Sequence, residues 1–243
     1  MKYMKEAIVK WIQDWFKENG PDCKAVIGIS GGKDSSIVAA LCVEALGKDR
    51  VLGVMIPNGS NTQDSDSTKL IEHLGIGSVT VSIEEAYCDI VHNISVKGPI
   101  KMSDQAFINL APRLRMTTLY AVSQSVNGRV ANTCNLSEAY IGWETRWGDA
   151  VGDFAPLQGL TCSEVIALGK ELNLPEDLVE KTPSDGLCGR SDEEAFGFSY
   201  DEVDRWIRLG VKGEHHAAII SRHNKNRFKK LDLPHYLPPL VQY

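Results

Sequence analysis

No stretch of this sequence approaches the roughly 20 consecutive apolar residues that a membrane-spanning helix needs. The first residues, with Lys2, Lys5, Glu6, Lys10 and Asp14, lack the unbroken apolar centre of a signal peptide. Both absences set the expectation of a cytoplasmic protein without membrane contact. Cysteine is sparse: Cys23, Cys42, Cys88, Cys134, Cys162 and Cys188 form no C-x-x-C pair, so neither a zinc site nor a disulfide framework is expected. Basic excess is missing too, since 26 Lys and Arg stand against 32 Asp and Glu, a net charge of −6. That excludes a nucleic-acid partner held by bulk charge. Internal repeats, low-complexity tracts and an obvious interdomain linker are also lacking. What remains, 43% hydrophobic and 24% charged residues over 243 positions, is enough apolar material for a sizeable core and fits one domain spanning 1–243.

The apolar periodicity then lays out an alternation. Residues 2–18 carry Ile8, Trp11, Ile12, Trp15 and Phe16 at helical spacing and stop at Asn19-Gly20-Pro21. A strand is expected over 25–29, a helix over 36–46 capped by Gly47, and a second strand over 51–56. A helix over 68–74 and a strand over 78–83 follow. Residues 103–126 read as mostly helical, bent or interrupted at Pro112, with a fourth strand over 129–133. Residues 142–159, rich in Gly, Asp and Trp, read as a long functional loop. Helices are expected over 163–172, 175–180, 200–209 and 212–227, before a basic, proline-rich tail. Strands alternating with helices predict an α/β fold with a mainly parallel sheet and right-handed crossovers.

Between the first strand and its helix lies Ser30-Gly31-Gly32-Lys33-Asp34-Ser35-Ser36. Glycines let backbone amides approach an anion, and the helix that follows presents its positive dipole end. The serines can donate to phosphate oxygens, whereas Asp34 would repel them unless a divalent cation lay between. Asp34 is therefore a candidate magnesium ligand. The spacing differs from G-x-x-x-x-G-K-[ST], the loop that holds the β- and γ-phosphates of a hydrolysed nucleotide.

This loop resembles the S-G-G-x-D-S cradle of the ATP pyrophosphatase superfamily, in which an acceptor attacks the α-phosphate of ATP and pyrophosphate departs. Four further stretches resemble ammonia-dependent NAD synthetases. They are "VLGVMIPNGSNTQDSDSTKLIEHLGI", "NLAPRLRMTTLY" with Arg113 and Arg115, "VANTCNLSEAYIGWETRWGDAVGDFAPLQGLT", and "TPSDGLCGRSDEEAFGFSYDEVD". The resemblance runs from about residue 25 to 230. It implies a Rossmann-like, three-layer α/β/α fold, with an N-terminal helix over 2–18, a nucleotide-binding core over about 24–230 and a tail over 229–243. The implied reaction joins deamido-NAD, ATP and ammonia into NAD, AMP and pyrophosphate through an adenylated nicotinate carboxylate.

Carried over position by position, the resemblance puts Gly28, Ile29, Ser30, Gly31, Gly32, Lys33, Asp34 and Ser35 on the ATP phosphates. Thr133 and Ser184 also face ATP, and Asp34 with Glu138 holds magnesium. Arg113, Arg146, Asp153, Phe228 and Lys229 fall at deamido-NAD positions, and the catalytic acids are Asp149 and Asp153, with Asp149 orienting or deprotonating ammonium. Three departures stand out. Cys162 occupies an ATP-side position where the family has lysine, leaving Lys33, Lys181 or a partner subunit to supply a cation. Phe228 replaces the histidine of a His-Lys pair, and Asp185 replaces a small residue. The adjacent His215 and His216 do not share a helix face, which argues against a metal pair; Trp143 and Trp147 could shield an acyl-adenylate or pack at an interface.

Glutamine-dependent relatives carry an added amidohydrolase domain, for which the roughly two dozen residues before the first strand leave no room. Free ammonia, or a separate glutaminase partner, is thus expected, as is a homodimer. Two alternatives compete: another ATP pyrophosphatase, such as a tRNA-modifying enzyme or an amidotransferase synthetase subunit, and a non-catalytic nucleotide sensor. The acidic balance argues against the first, and the retained Asp34, Glu138 and Asp153 against the second.

Overall fold

Alternate side chains of the first strand part company. Ala25 and Ile27 join one buried cluster with Val51, while Val26 joins another with Val54 and Val130. This is the period of two expected when a sheet is covered on both faces. The computed structural model describes residues 2–59, 65–179 and 191–237. In chain order its elements are α1 (Lys2–Asn19), β1 (Lys24–Gly28), α2 (Lys33–Leu46), a 3₁₀ turn (Lys48–Arg50) and β2 (Val51–Met55). Then come α3 (Ser65–Leu74), β3 (Gly77–Thr80), α4 (Glu84–His92) with a π-helical turn (Asn93–Lys97), α5 (Asp104–Ser125) and β4 (Gly128–Val130). The remainder is helical: α6 (Leu136–Ile141), α7 (Cys162–Lys170), α8 (Glu176–Val179), α9 (Asp192–Phe196), α10 (Tyr200–Leu209), α11 (His216–Asn226) and a last 3₁₀ turn (Arg227–Lys230).

The strands are parallel in the order β3-β2-β1-β4, with Ala25 opposite Val51 and Arg129, and Leu52 opposite Gly77. Ile12 and Phe16 of α1, Ile37 and Leu41 of α2, Leu168 of α7 and Leu178 of α8 cover one face. Ala111, Met116 and Leu119 of α5 cover the other, with Tyr87 of α4 and Ile83 at its N-cap. The result is a three-layer, Rossmann-like α/β/α fold. A third cluster joins Ile141 of α6, Cys162 of α7, Tyr200 and Val203 of α10 and Ile219 of α11. Among the described residues no helix is long and apolar enough to cross a membrane.

Several elements differ from expectation. The helix expected from Ser36 begins at Lys33, because Ser36 N already donates to Gly32 O and the motif is itself the first helical turn. Pro112 does not interrupt α5, which runs through it unbroken. The helix expected from Lys212 starts only at His216, since His215 is held outside it by Glu202. The strand expected to reach Thr133 ends at Val130, beyond which Ala131 makes a single bridge to Phe154. Helix α4 has no fully buried residue and gave no clear stripe. Glu180, the last residue expected in the helix at 175–180, lies outside the described residues.

Candidate active site

In a parallel sheet the ends of adjacent strands whose connections leave in opposite directions open a crevice at their carboxyl edge. Here β1 leads away to β2 on one side and β4 lies on the other, and a cavity of about 1380 Å³ opens over both strand ends. Gly28–Ser30 and Ala131–Thr133 form its floor, and residues from α5, α6, α11 and the loop after α6 close its walls.

The phosphate loop is built for close approach. Gly31 takes φ +70, in the left-handed region, and Gly32 is the N-cap of α2 without a side chain to cap it. The first-turn serines hold the loop: Ser30 Oγ and Ser35 Oγ lie 3.0 Å apart, and Ser36 Oγ donates to Gly32 O at 2.8 Å. Asn135, N-cap of α6, ties this loop to the next one. Its Nδ2 donates to Asp34 Oδ1 at 3.2 Å, while its own amide donates to Glu138 Oε2 at 3.1 Å in a capping box. Burial, and then the charge of Asp34, push the Glu138 carboxyl above its ordinary range, against the opposing pull of Lys33.

The donor set suits a hard divalent cation. Among the described residues no group of three or more His, Cys, Asp or Glu gathers to cage a metal. The two carboxylates offer only oxygen, and magnesium is commonly held by one or two carboxylates together with substrate phosphates and water.

Across the cavity, Asp149 is held by the loop after α6. Its Oδ1 accepts from Thr145 N at 3.0 Å, and its carbonyl accepts from Asn132 Nδ2 at 2.7 Å. Burial raises its pKa, with the Thr145 hydrogen bond pulling the other way. Two glycines let this loop lie down: a Cβ on Gly152 would stand 2.7 Å from Asn132 N, and one on Gly148 would stand 3.1 Å from Pro112 C. Nearby, Glu144 has a fully buried side chain whose Oε2 meets Lys230 Nζ at 2.7 Å. Lys229 Nζ donates to the carbonyls of Gly142 and Glu144, each at 2.8 Å. The turn after α11 is thereby strapped to the cavity wall.

The structure brings together most, though not all, of the residues singled out from sequence. Gly28, Ile29, Ser30, Gly32, Lys33, Asp34 and Ser35 line the cavity, as do Thr133, Glu138, Asp149, Phe228 and Lys229. Cys162 does not line it: it is buried in the first turn of α7, its amide donating to Ser137 Oγ at 3.0 Å. Arg113 and Arg146 also lie off the cavity. Arg113 Nε donates to Arg146 O at 3.3 Å, and the Arg146 guanidinium sits 4.9 Å from the Trp147 ring and 5.6 Å from Phe228. Asp153 faces a second groove of about 490 Å³ beside Trp11 and Trp15. Its carboxylate accepts from Val130 N at 2.7 Å and Tyr120 OH at 3.4 Å. Ser184 lies outside the described residues, with Lys181 and Asp185.

Trp143 lines the cavity, whereas Trp147 is exposed. The histidine pair is divided, His215 bonding Glu202 and His216 packing on Trp206. Sequence reasoning overlooked Asn135, Glu144, Arg222 and Lys225, and it gave Arg115 no role. Arg115 lines the cavity and donates to Ile56 O at 3.1 Å. Only Asn135 carried a local signal, the N-x-x-E of its capping box.

Comparison with known proteins gives a consistent picture. The family model described as NAD synthase matches residues 4–234. The NH3-dependent NAD+ synthetase of Carboxydothermus hydrogenoformans is 33% identical over 94% of each chain. That of Methanocaldococcus jannaschii is 38% identical over 86% of this chain and 83% of its own. Among solved structures, an NMN synthetase from Francisella tularensis superposes with a TM-score of 0.87 at 33% identity, covering 98% of both chains. The NH3-dependent NAD synthetase of Campylobacter jejuni superposes with a TM-score of 0.78 at 27% identity, again over 98% of both.

Proposed function

The chain belongs to the NAD synthase family, and we propose that it amidates the nicotinate carboxyl of deamido-NAD with ammonia, converting ATP to AMP and pyrophosphate. The observation that carries this reading is one continuous cavity lined by the phosphate loop, the acid pair Asp34 and Glu138, and the buried Asp149. A carboxylate is a poor acyl donor. Its oxygen first attacks the α-phosphorus, pyrophosphate leaves, and ammonia then attacks the acyl carbon to expel AMP. No covalent bond to the protein forms, so the rate comes from positioning and from stabilising charge.

In this reading residues 28–35 and Thr133 hold the ATP phosphates, the helix dipole of α2 favouring the departing anion. Asp34 and Glu138 would hold magnesium, which supplies neutralisation of the polyphosphate charge when bound. Asp149 accepts a proton from ammonium, a task for which burial has already raised its basicity. Asp153, spent on Val130 and Tyr120, is a positioning residue for the loop between Asp149 and Phe154. Phe228 and Lys229 lie over the nucleotide, and Arg113 with Arg146 flanks the mouth beside Phe228. Cys162 serves the ATP side from behind the wall, as a neutral thiol. The assembly is a homodimer, supported by Trp11, 44% exposed beside the second groove, and its place is the cytoplasm.

The Francisella likeness supports a second reading, in which the acyl donor is the mononucleotide bearing the same nicotinate carboxyl. Arg222 and Lys225 line the cavity and suit the terminal phosphate dianion that a mononucleotide has and a dinucleotide lacks. One assay separates the two. Purified protein is given ATP, magnesium and ammonium or glutamine, with deamido-NAD or nicotinate mononucleotide, and amide product is measured. Higher kcat/KM with deamido-NAD and ammonium upholds the first reading, and higher kcat/KM with the mononucleotide upholds the second. No product from any combination, with ATP still bound, overturns both in favour of a sensor.

A further inference from the structure

Lysine is seldom buried unless its charge is paired, and the N-terminal turn of a helix is an unfavourable place for a cation. Lys33 is in both situations. It is the first residue of α2 and only 3% exposed. Its ammonium lies 2.6 Å from Asp34 Oδ2. The ammonium is thus a buried charge paired at contact distance with one carboxylate. The Cys162 thiol also lies within electrostatic reach, and burial pushes it up to about 12 and so leaves it neutral. A lysine at position 162 would add a second cation there and repel the first. Asp34 thus has both oxygens engaged within the protein, Oδ1 by Asn135 and Oδ2 by Lys33.

Taking Asp34 and Glu138 as the metal carriers, we propose that Lys33 is the built-in counter-cation of this acid pair. Its ammonium excludes a free divalent ion from Asp34 until a nucleotide arrives. It then passes from Asp34 to the polyphosphate, releasing the carboxylate. The metal is thereby admitted as its nucleotide complex and not alone. Position 33, the variable place in S-G-G-x-D-S, decides this, together with the small neutral residue at 162 that leaves the ammonium unopposed.

The test is binding of Mn2+, followed by loss of the free-ion electron paramagnetic signal, to the whole chain with and without a non-hydrolysable ATP analogue. Lys33→Met removes the ammonium while keeping a long unbranched side chain. Lys33→Gln, which keeps a hydrogen-bond donor for Asp34, serves if the methionine variant does not fold. Without nucleotide either variant should bind Mn2+ at least about tenfold more tightly than the parent, or about 1.4 kcal/mol. With the analogue present the variant's advantage should vanish. Equal Mn2+ affinity of parent and variant without nucleotide overturns the role of Lys33. Adding Asp34→Asn and Glu138→Gln to the variant should abolish its Mn2+ binding. Binding that survives both changes overturns instead the assignment of the acid pair as the metal site.

Discussion

Glu144 offers the sharpest test of how the cavity is closed. Its side chain is wholly buried, and it meets Lys230, whose own side chain is 29% exposed, at 2.7 Å. Truncation to alanine strands that ammonium at the edge of the cavity. Removing one partner of a fully buried pair costs about 3–5 kcal/mol, whereas an exposed pair is worth about 0–1 kcal/mol. Lys230 can turn to water, so Glu144→Ala should cost about 2 kcal/mol, between those limits. For a chain of this size that lowers Tm by about 4–8 °C. Loss of the Lys230 contact loosens the turn carrying Phe228 and Lys229, which the two Lys229 bonds to backbone carbonyls still hold in part, so KM for the nucleotide acyl donor should rise while KM for ammonium stays put. Glu144→Gln, which still offers Lys230 an acceptor, should recover at least half of the lost Tm. Melting by circular dichroism and steady-state kinetics on the same preparations decide the matter. An alanine variant that melts within about 1 °C of the parent with an unchanged KM would refute the reasoning.

Three further outcomes are expected. Asp149→Asn should lower kcat with ammonium by about 10²–10⁴-fold, the usual worth of a positioned proton acceptor, leaving ATP binding by calorimetry unchanged. Gly152→Ala places a Cβ 2.7 Å from Asn132 N; overpacking of this kind costs about 1–3 kcal/mol, read as a lower midpoint in urea, and it should also depress kcat through the Asn132 contact to Asp149. The Arg208–Glu164 pair, 2.6 Å apart, links α10 to α7. Burial opposes the Glu164 charge, but hydrogen bonds from Arg208 and the Thr161 amide outweigh it and lower the carboxyl pKa. A lowered folded-state pKa means stabilisation present above the unfolded value, about 4.3, and lost as pH falls through the folded one. The Tm difference between the parent and Arg208→Met should therefore hold from neutral pH down to about 5 and close below about 4. It should not exceed about 2–4 °C, the equivalent of about 1 kcal/mol, because the pair is partly exposed.

The part of this site legible in the sequence is the part whose parts are close in sequence. The loop Ser30–Ser36 is a self-contained piece of strand, turn and helix start, so its residue types alone state its chemistry. Glu138 was readable because it stands five residues after Thr133 in the stretch whose resemblance implies the metal site. Glu144 was not, since its partner Lys230 lies 86 positions on, and only the packing of α11 against α6 brings the two together. Arg222 and Lys225 were hidden for the same reason: on a short helix with a single fully buried residue, Ile219, they read as solvated charge. At Pro112 the sequence shows the lost donor but not that α5 continues through it from Asp104 to Ser125. Asp153 was placed with the catalytic acids on motif spacing, yet four residues along an irregular loop carry it round to the far groove, where it closes β4 instead.

The departures from the family pattern also take on a common sense once charge is followed instead of position. Where the resemblance implies a lysine, Cys162 leaves the first turn of α7 uncharged, and Lys33 places a cation within its electrostatic reach from the first turn of α2. The cation here stands on a residue that lines the cavity, whereas position 162 lies behind its wall. Phe228 gives up a titratable ring but keeps an aromatic face 5.6 Å from the Arg146 guanidinium, so the stacking survives without a charge that would oppose Arg146. The exchange Lys33→Ile with Cys162→Lys probes this directly. If net charge near Asp34 is what matters, each single change should weaken binding of Mg-ATP and the double variant should recover part of the loss, a coupling of the size seen between contacting residues, about 0.5–3 kcal/mol. Losses that simply add would show that the two positions act independently, and that Cys162 is no more than a buried neighbour of the site.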